Sequence, residues 1–114
     1  MVYDTAKLLA QELKSSQEYR EYERAKEIAM EDPTTKALID EYHKLQIRAQ
    51  ASVVSGEKND ELMAKLQKVG EVLQFNQGAA AFLMAEFRLN RMLGDVYKIL
   101  AEAIDVDLSA LENA

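Results

Sequence analysis

The sequence predicts an all-α protein: an antiparallel bundle of four to five helices with a long C-terminal helix, in a single domain over residues 1–114. Three observations predict it. Apolar residues recur every three or four positions along most of the chain, the interval that places side chains on one face of a helix. Ala, Leu, Glu, Lys and Gln dominate, with only one proline and four glycines to interrupt them. The polar punctuation between periodic segments has the chemistry of helix caps.

The first helix is expected from about Asp4 to Ser15, with Ala6, Leu9, Ala10 and Leu13 on its apolar face. Ser15 or Ser16 suits the cap of a second helix over about 16–31, and Glu18 stands three residues after Ser15 as in a capping box. That helix is rich in charge and gathers Tyr19, Tyr22, Ala25 and Ala29 on one side. Asp32-Pro33 is the clearest boundary in the chain. An aspartate accepts backbone N–H groups at an N-cap, and a proline at the first helical position lacks only an N–H that has no partner there.

A third helix follows from Pro33 to about Val54, with Leu38, Tyr42, Leu45, Ala49 and Ser52 as a narrow seam for one neighbour. Ser55-Gly56-Glu57-Lys58 reads as a turn in which Gly56 ends the helix in a left-handed conformation. Asn59 is the next cap, with Asp60 and Glu61 near the positive end of the fourth helix. Leu62, Leu66, Val69 and Leu73 are its seam. The chain turns again near Phe75, and Asn76 caps a fifth helix over about 77–105.

This last helix carries two apolar stripes. One is Phe82, Ala85, Leu89, Met92, Val96, Ile99 and Ala103; the other is Ala79, Leu83, Glu86, Asn90, Leu93, Tyr97, Leu100 and Ile104. Adjacent stripes this wide call for more than one packing neighbour, within a bundle or across a dimer. Beyond Ile104 the tail alternates acids with apolar residues, and Asp107 is a candidate cap for a final turn containing Leu111.

Composition narrows the function classes. The formal net charge is −6, divided evenly between the halves. Nucleic-acid binding draws on clustered Lys and Arg, whereas here basic residues stand three or four positions from acids, as Glu23 does from Lys26. Direct nucleic-acid binding is not expected. The absence of cysteine removes disulfides, thiolate chemistry and cysteine-held clusters. No apolar run approaches the ~20 residues that span a membrane, and no signal-peptide pattern opens the chain, so a cytoplasmic location without membrane contact is expected.

No serine lies in a glycine-rich elbow and no glycine loop is built to cradle phosphate. A carboxylate–histidine metal site is the one chemical alternative, using Asp40, His43 and Glu86. An acid three residues before a histidine occurs in four-helix di-metal proteins. His43 lies off the Leu38–Leu45 seam, however, and reads as a surface or edge residue. Neither a metal nor another cofactor is therefore expected.

Glu86 and Asn90 interrupt an apolar stripe one turn apart. They either fix register at a helix interface or mark a stretch facing water. Met84 and Phe87 lie on the more polar side of the last helix, and Ile47 and Val54 lie off the seam of the third. These four suggest a second contact surface, unless a wide core covers them. Gly78 and Gly94 either permit close packing or loosen the helix.

The order of these features resembles the YlbF/YmcA family of small helical proteins, and within it the YheA-like branch. The resemblance rests on Tyr3-Asp4 with Ala6 and Leu9, then Ser16, Glu18, Tyr19, Tyr22 and Ala25. It continues through Asp32-Pro33 with Ala37, Leu38, Tyr42, Leu45 and Gln46, the Gly56-Glu57 turn, and Ala85-Glu86 followed by Arg88-Leu89-Asn90 and Leu93. It implies a self-associating helical bundle with a cytoplasmic, non-enzymatic role. In characterised relatives that role supports competence, sporulation and biofilm development, in complexes that influence RNA processing by an endoribonuclease. Some relatives carry cysteines that help hold iron–sulfur clusters; this chain has none.

The expected function is thus a protein-interaction or regulatory adaptor, homodimeric or larger, with other proteins of a regulatory complex as further partners. Its expected interface is Phe82, Ala85, Glu86, Leu89, Asn90, Met92, Leu93 and Val96. A purely structural oligomer is the remaining alternative.

Overall fold

The computed structural model describes residues 1–57 and 59–105. Within them the chain is all-α, with helices α1 (Val2–Lys14), α2 (Gln17–Glu31), α3 (Pro33–Ser55), α4 (Asp60–Gln74) and α5 (Gln77–Ile104). The expected final turn with Asp107 and Leu111 lies outside the described residues, as does Lys58.

The boundaries follow from the caps. The Ser16 hydroxyl accepts from the Tyr19 N–H at 3.2 Å and donates to the Leu13 carbonyl at 2.6 Å, so one side chain both closes α1 and opens α2. This corrects the capping box expected from Ser15 and Glu18. Ser15 is instead the C-terminal cap of α1. The residue at the third position after Ser16 is Tyr19, which cannot accept from the cap backbone as a glutamate would. Asp32 accepts from the Thr34 N–H at 3.1 Å with Pro33 behind it. Asn59 accepts from Leu62 at 3.0 Å, and Asn76 from Ala79 at 3.1 Å. Gly56 takes φ 76°, the left-handed conformation that ends α3. Ser52 donates to the Glu57 carbonyl and braces the turn that follows.

Two compact units can be recognised: Met1–Tyr22 together with the described residues from Ala85 onward, and Glu23–Met84. The second unit contains the principal core. Here α3 and α4 form a hairpin in which Leu45, Ala49 and Leu62 are buried, with Leu66 and Val69 packed against them. These are seam residues legible in the sequence, because a seam of period 3.5 meets one neighbour along its length.

The first half of α3 departs from that seam. Thr35 and Ile39 are buried, whereas Leu38 and Tyr42 are half-buried. Thr35 and Ile39 lie further round the helix from Leu38 and Leu45, and the start of α5 covers them. The Asn76 amide donates to the Thr35 hydroxyl at 2.9 Å, and that hydroxyl donates to the Asp32 carboxylate at 2.9 Å. The N-terminal caps of α3 and α5 are therefore joined through one buried threonine. Gly78 sits beside this junction: a Cβ there would lie 3.7 Å from the Thr35 methyl and 3.9 Å from the Ala29 backbone.

In the first unit, the rings of Tyr19 and Tyr22 lie 6.5 Å apart, tilted by 32°. Arg88 reaches Glu21 at 3.7 Å, an exposed pair of small energetic weight. No residue of α1 is buried.

Candidate interaction surfaces

The expected interface residues follow a gradient along α5. Phe82 and Ala85 are buried. Glu86, Leu89, Met92, Leu93 and Val96 are half-buried, and Asn90 is exposed. Further along, Tyr97, Ile99, Leu100 and Ile104 are exposed, Ile99 to 65% and Ile104 to 62%. The two stripes are thus covered by the chain only over the first part of α5. Of the two expected settings for these stripes, a bundle or a dimer, the described residues cover the first part of α5 and leave most of its last turns exposed. Val2, Tyr3 and Leu8 of α1, in the same unit, are also exposed. An aliphatic side chain left in water forgoes about 1.5–3 kcal/mol relative to full burial, so the exposed turns are favourable places for another chain.

A second surface lies within the Glu23–Met84 unit. It is an open groove of about 950 Å³ along α4, lined in part by Leu66 and Leu73 of the seam. Its lining spans α4 from Asp60 to Gln74 and includes Tyr42 of α3 and Ala80, Leu83 and Met84 of α5. Gly70 keeps the floor of the groove low at its middle, where a Cβ would rest 3.8 Å from the Tyr42 ring. Met63 and Met84 are exposed at its edges.

This groove was not legible in the sequence, because α4 contributes to it a mixed face on which Gln67, Glu71 and Gln74 alternate with Met63, Leu66 and Leu73. Its apolar lining is shared between α4 and the neighbouring Tyr42, Ala80, Leu83 and Met84. The exposure expected for Met84, Phe87, Ile47 and Val54 is observed, so no wide core covers them.

His43, read as a surface or edge residue, lies at an edge. It is half-buried, and its ring meets that of buried Phe82 edge-on, with centroids 6.1 Å apart. It shares the Thr35–Ile39 side of α3, and the start of α5 covers that side. Asp40 is exposed. Among the described residues no group of three or more His, Asp or Glu side chains converges as a metal site would require. No helix among them is long and apolar enough to cross a membrane.

Comparison with known proteins agrees with this architecture. The UPF0342 protein of Symbiobacterium thermophilum is 42% identical over 108 residues, covering 94% of this chain and 96% of the relative. That of Halothermothrix orenii is 30% identical over 114 residues, covering 99% and 97%. Among solved structures, a protein of unknown function (DUF964) from Bacillus stearothermophilus gives a TM-score of 0.77 at 19% identity, covering 91% of this chain and 92% of that one. Bacillus subtilis RicA, solved in complex with RicF, gives 0.60 at 20% identity, covering 91% and 93%. At such identities the two structures speak to the fold alone. The family model described as control of competence regulator ComK, YlbF/YmcA, matches residues 2–105. With helices and caps in the order that the resemblance requires, and a match over nearly the whole described chain, this protein belongs to the YlbF/YmcA family.

Proposed function

We propose that this protein is a non-enzymatic adaptor that acts by binding protein chains, itself included, in a regulatory setting. The observation that carries the reading is the uncovered apolar surface of the first unit. α5 runs out past Tyr97 with Ile99, Leu100 and Ile104 exposed, and no residue of α1, in the same unit, is buried. A continuous apolar helix surface of this kind is a common means of assembly between helical proteins. Leu89, Met92, Leu93 and Val96, half-buried in the chain, extend the same surface toward the middle of α5. In this reading Glu86 and Asn90 set register within the contact.

Two comparisons support the wider role. The matching family is described by control of a competence regulator, and a protein of similar fold was solved in complex with a partner. The regulatory process served by this chain is inferred from the first, and protein partnership from the second.

Light scattering across a concentration range tests the proposal. We expect a mass of at least about twice the 12.9 kDa of the chain, falling to the monomer value in Ile99→Asp/Leu100→Asp with far-UV helicity retained. Leu89→Asp should weaken assembly as well. A wild-type mass of 12.9 kDa at every concentration would remove self-association from the proposal.

A further inference from the structure

We propose that the corner between α4 and α5 is a switch. With its latch at Asn76 released, the two helices join into one, and the contacts that α5 makes with α3 are remade with a second copy. This goes beyond the adaptor reading and needs neither another protein nor the exposed end of α5.

The corner is two residues long, Phe75 and Asn76, and contains neither proline nor glycine. Phe75 keeps right-handed backbone angles, φ −88° and ψ −5°. Its N–H donates to the Val72 carbonyl at 3.2 Å, and the Asn76 N–H to the Leu73 carbonyl at 3.0 Å. An N-cap residue has non-helical angles, so the chain turns at Asn76. The Asn76 side chain fastens the corner twice. It accepts from the Ala79 N–H at 3.1 Å and donates to the Thr35 hydroxyl at 2.9 Å.

The apolar pattern runs through this corner without a change of phase. Val72, Phe75, Ala79 and Phe82 follow at spacings of 3, 4 and 3, and Leu89 and Leu93 continue the stripe beyond Glu86. The α4 seam passes in the same way from Val69 and Leu73 through Asn76 to Ala80 and Leu83. One phase kept over such a length is the pattern of a single helix with a helical neighbour. In the closed form the α4 side of the stripe is left in water: Phe75 is 90% exposed and Val72 47%, while Ala79 and Phe82 are buried. Asn76 stands at a seam position, where one polar residue selects between states at a cost in stability.

The other corners differ. Pro33 closes the α2–α3 boundary to a continuous helix, and Gly56 ends α3 in the left-handed conformation. Between α1 and α2 the spacing of Leu9 and Leu13 leads on to Ser16 and Arg20, so no apolar stripe continues.

Exchange keeps most contacts. The edge-on meeting of Phe82 with His43, and the seat of Gly78 beside Thr35 and Ala29, can be made equally by the α5 of a second copy. Continuity adds backbone bonds, because the last carbonyls of α4 and the first N–H groups of α5 lack helical partners at a corner. The closed form retains the Asn76 cap, its bond to Thr35 and the freedom of a separate chain. Exchange of an identical element is for these reasons a low-cost route to a dimer.

The test is made in Ile99→Asp/Leu100→Asp, which removes the contact proposed above. There Asn76→Leu takes away the cap and completes the seam, and should raise the dimer fraction about tenfold or more in light scattering. The native corner should give the same dimer in smaller amount when refolded from urea at high concentration. Gln77→Pro should abolish both. The first helical position accepts proline, and the extended conformation imposed on the preceding residue suits an N-cap. Inside a continuous helix the same proline is disfavoured by about a hundredfold per chain.

The chain lacks cysteine, so Met63→Cys and Met84→Cys each take one nitroxide. These side chains line one groove in the closed form. They are 21 residues apart in sequence, about 32 Å along a continuous helix. Pulsed EPR on doubly labelled chains, refolded with excess unlabelled chain, should show about 32 Å in the dimer fraction. Chains labelled singly, one at each site and refolded together, should show a shorter distance between copies. Circular dichroism checks that each variant keeps its helicity.

A dimer fraction unmoved by Asn76→Leu, no dimer from the native corner at any refolding concentration, or a dimer that survives Gln77→Pro would overturn the proposal. So would a short distance within the doubly labelled chain of the dimer. If Ile99→Asp/Leu100→Asp itself exceeds the monomer mass, the same distances separate the two readings: short within the chain for two closed copies, about 32 Å for exchange.

Discussion

The Thr35 hydroxyl accepts from the Asn76 amide and donates to the Asp32 carboxylate, and the residue is only 3% exposed. Removing the hydroxyl while keeping the shape takes a partner from the half-buried Asn76 amide and from the exposed Asp32 carboxylate. Thr35→Val should therefore cost about 0.5–1.5 kcal/mol, the net range for a typical hydrogen bond. Thr35→Ser keeps the hydroxyl and loses a methyl, for about 1 kcal/mol. Urea denaturation measures both, and a loss for Thr35→Ser with none for Thr35→Val would show that packing, not the hydrogen bonds, holds the junction. The sequence singled out Asp32 and Asn76 as caps, and both are. It gave no reason to notice Thr35, because a threonine three residues after an N-cap is ordinary until a second cap, 41 residues away in sequence, meets it.

At the scale of the element, α4 and α5 behave differently toward their sequences. Leu62 and Leu73 of α4 are buried and Leu66 and Val69 half-buried, so the seam read from spacing is the seam that packs. One neighbour, α3, meets it along the hairpin. α5 has two apolar stripes of equal regularity, yet burial falls away along its length. Periodicity records which face of a helix is apolar but not whether a neighbour is present at a given turn.

Gly94 illustrates the consequence. A Cβ there would meet nothing within 4 Å among the described residues, so no contact with them requires a glycine at this position. Alanine is favoured over glycine by roughly 1 kcal/mol in a helix interior. Gly94→Ala should therefore raise the melting temperature by several degrees in a thermal scan. A fall instead would mean that another chain approaches the backbone closely at that turn.

For the whole molecule, the modest buried core makes association part of the stability question. If the exposed turns of α5 are covered only in an assembly, the melting temperature should rise with protein concentration, because assembly is linked to folding by mass action. Ile99→Asp/Leu100→Asp should abolish that rise. A melting temperature constant over a hundredfold range of wild-type concentration would place the stability within the single chain.

The sequence by itself determined the helical class, the five segments to within two residues at each end, the caps at Asp32, Asn59 and Asn76, the left-handed Gly56 and the α4 seam. These depend on interactions among residues close in the chain, whose chemistry can be read position by position. Only the tertiary structure decided that the early face of α3 turns toward α5, drawing in Thr35, Ile39 and His43, and that a mixed face of α4 forms one wall of a groove. Those outcomes depend on which helices come together, and a face serving two neighbours, or a groove built from several elements, leaves no single periodic trace in the sequence.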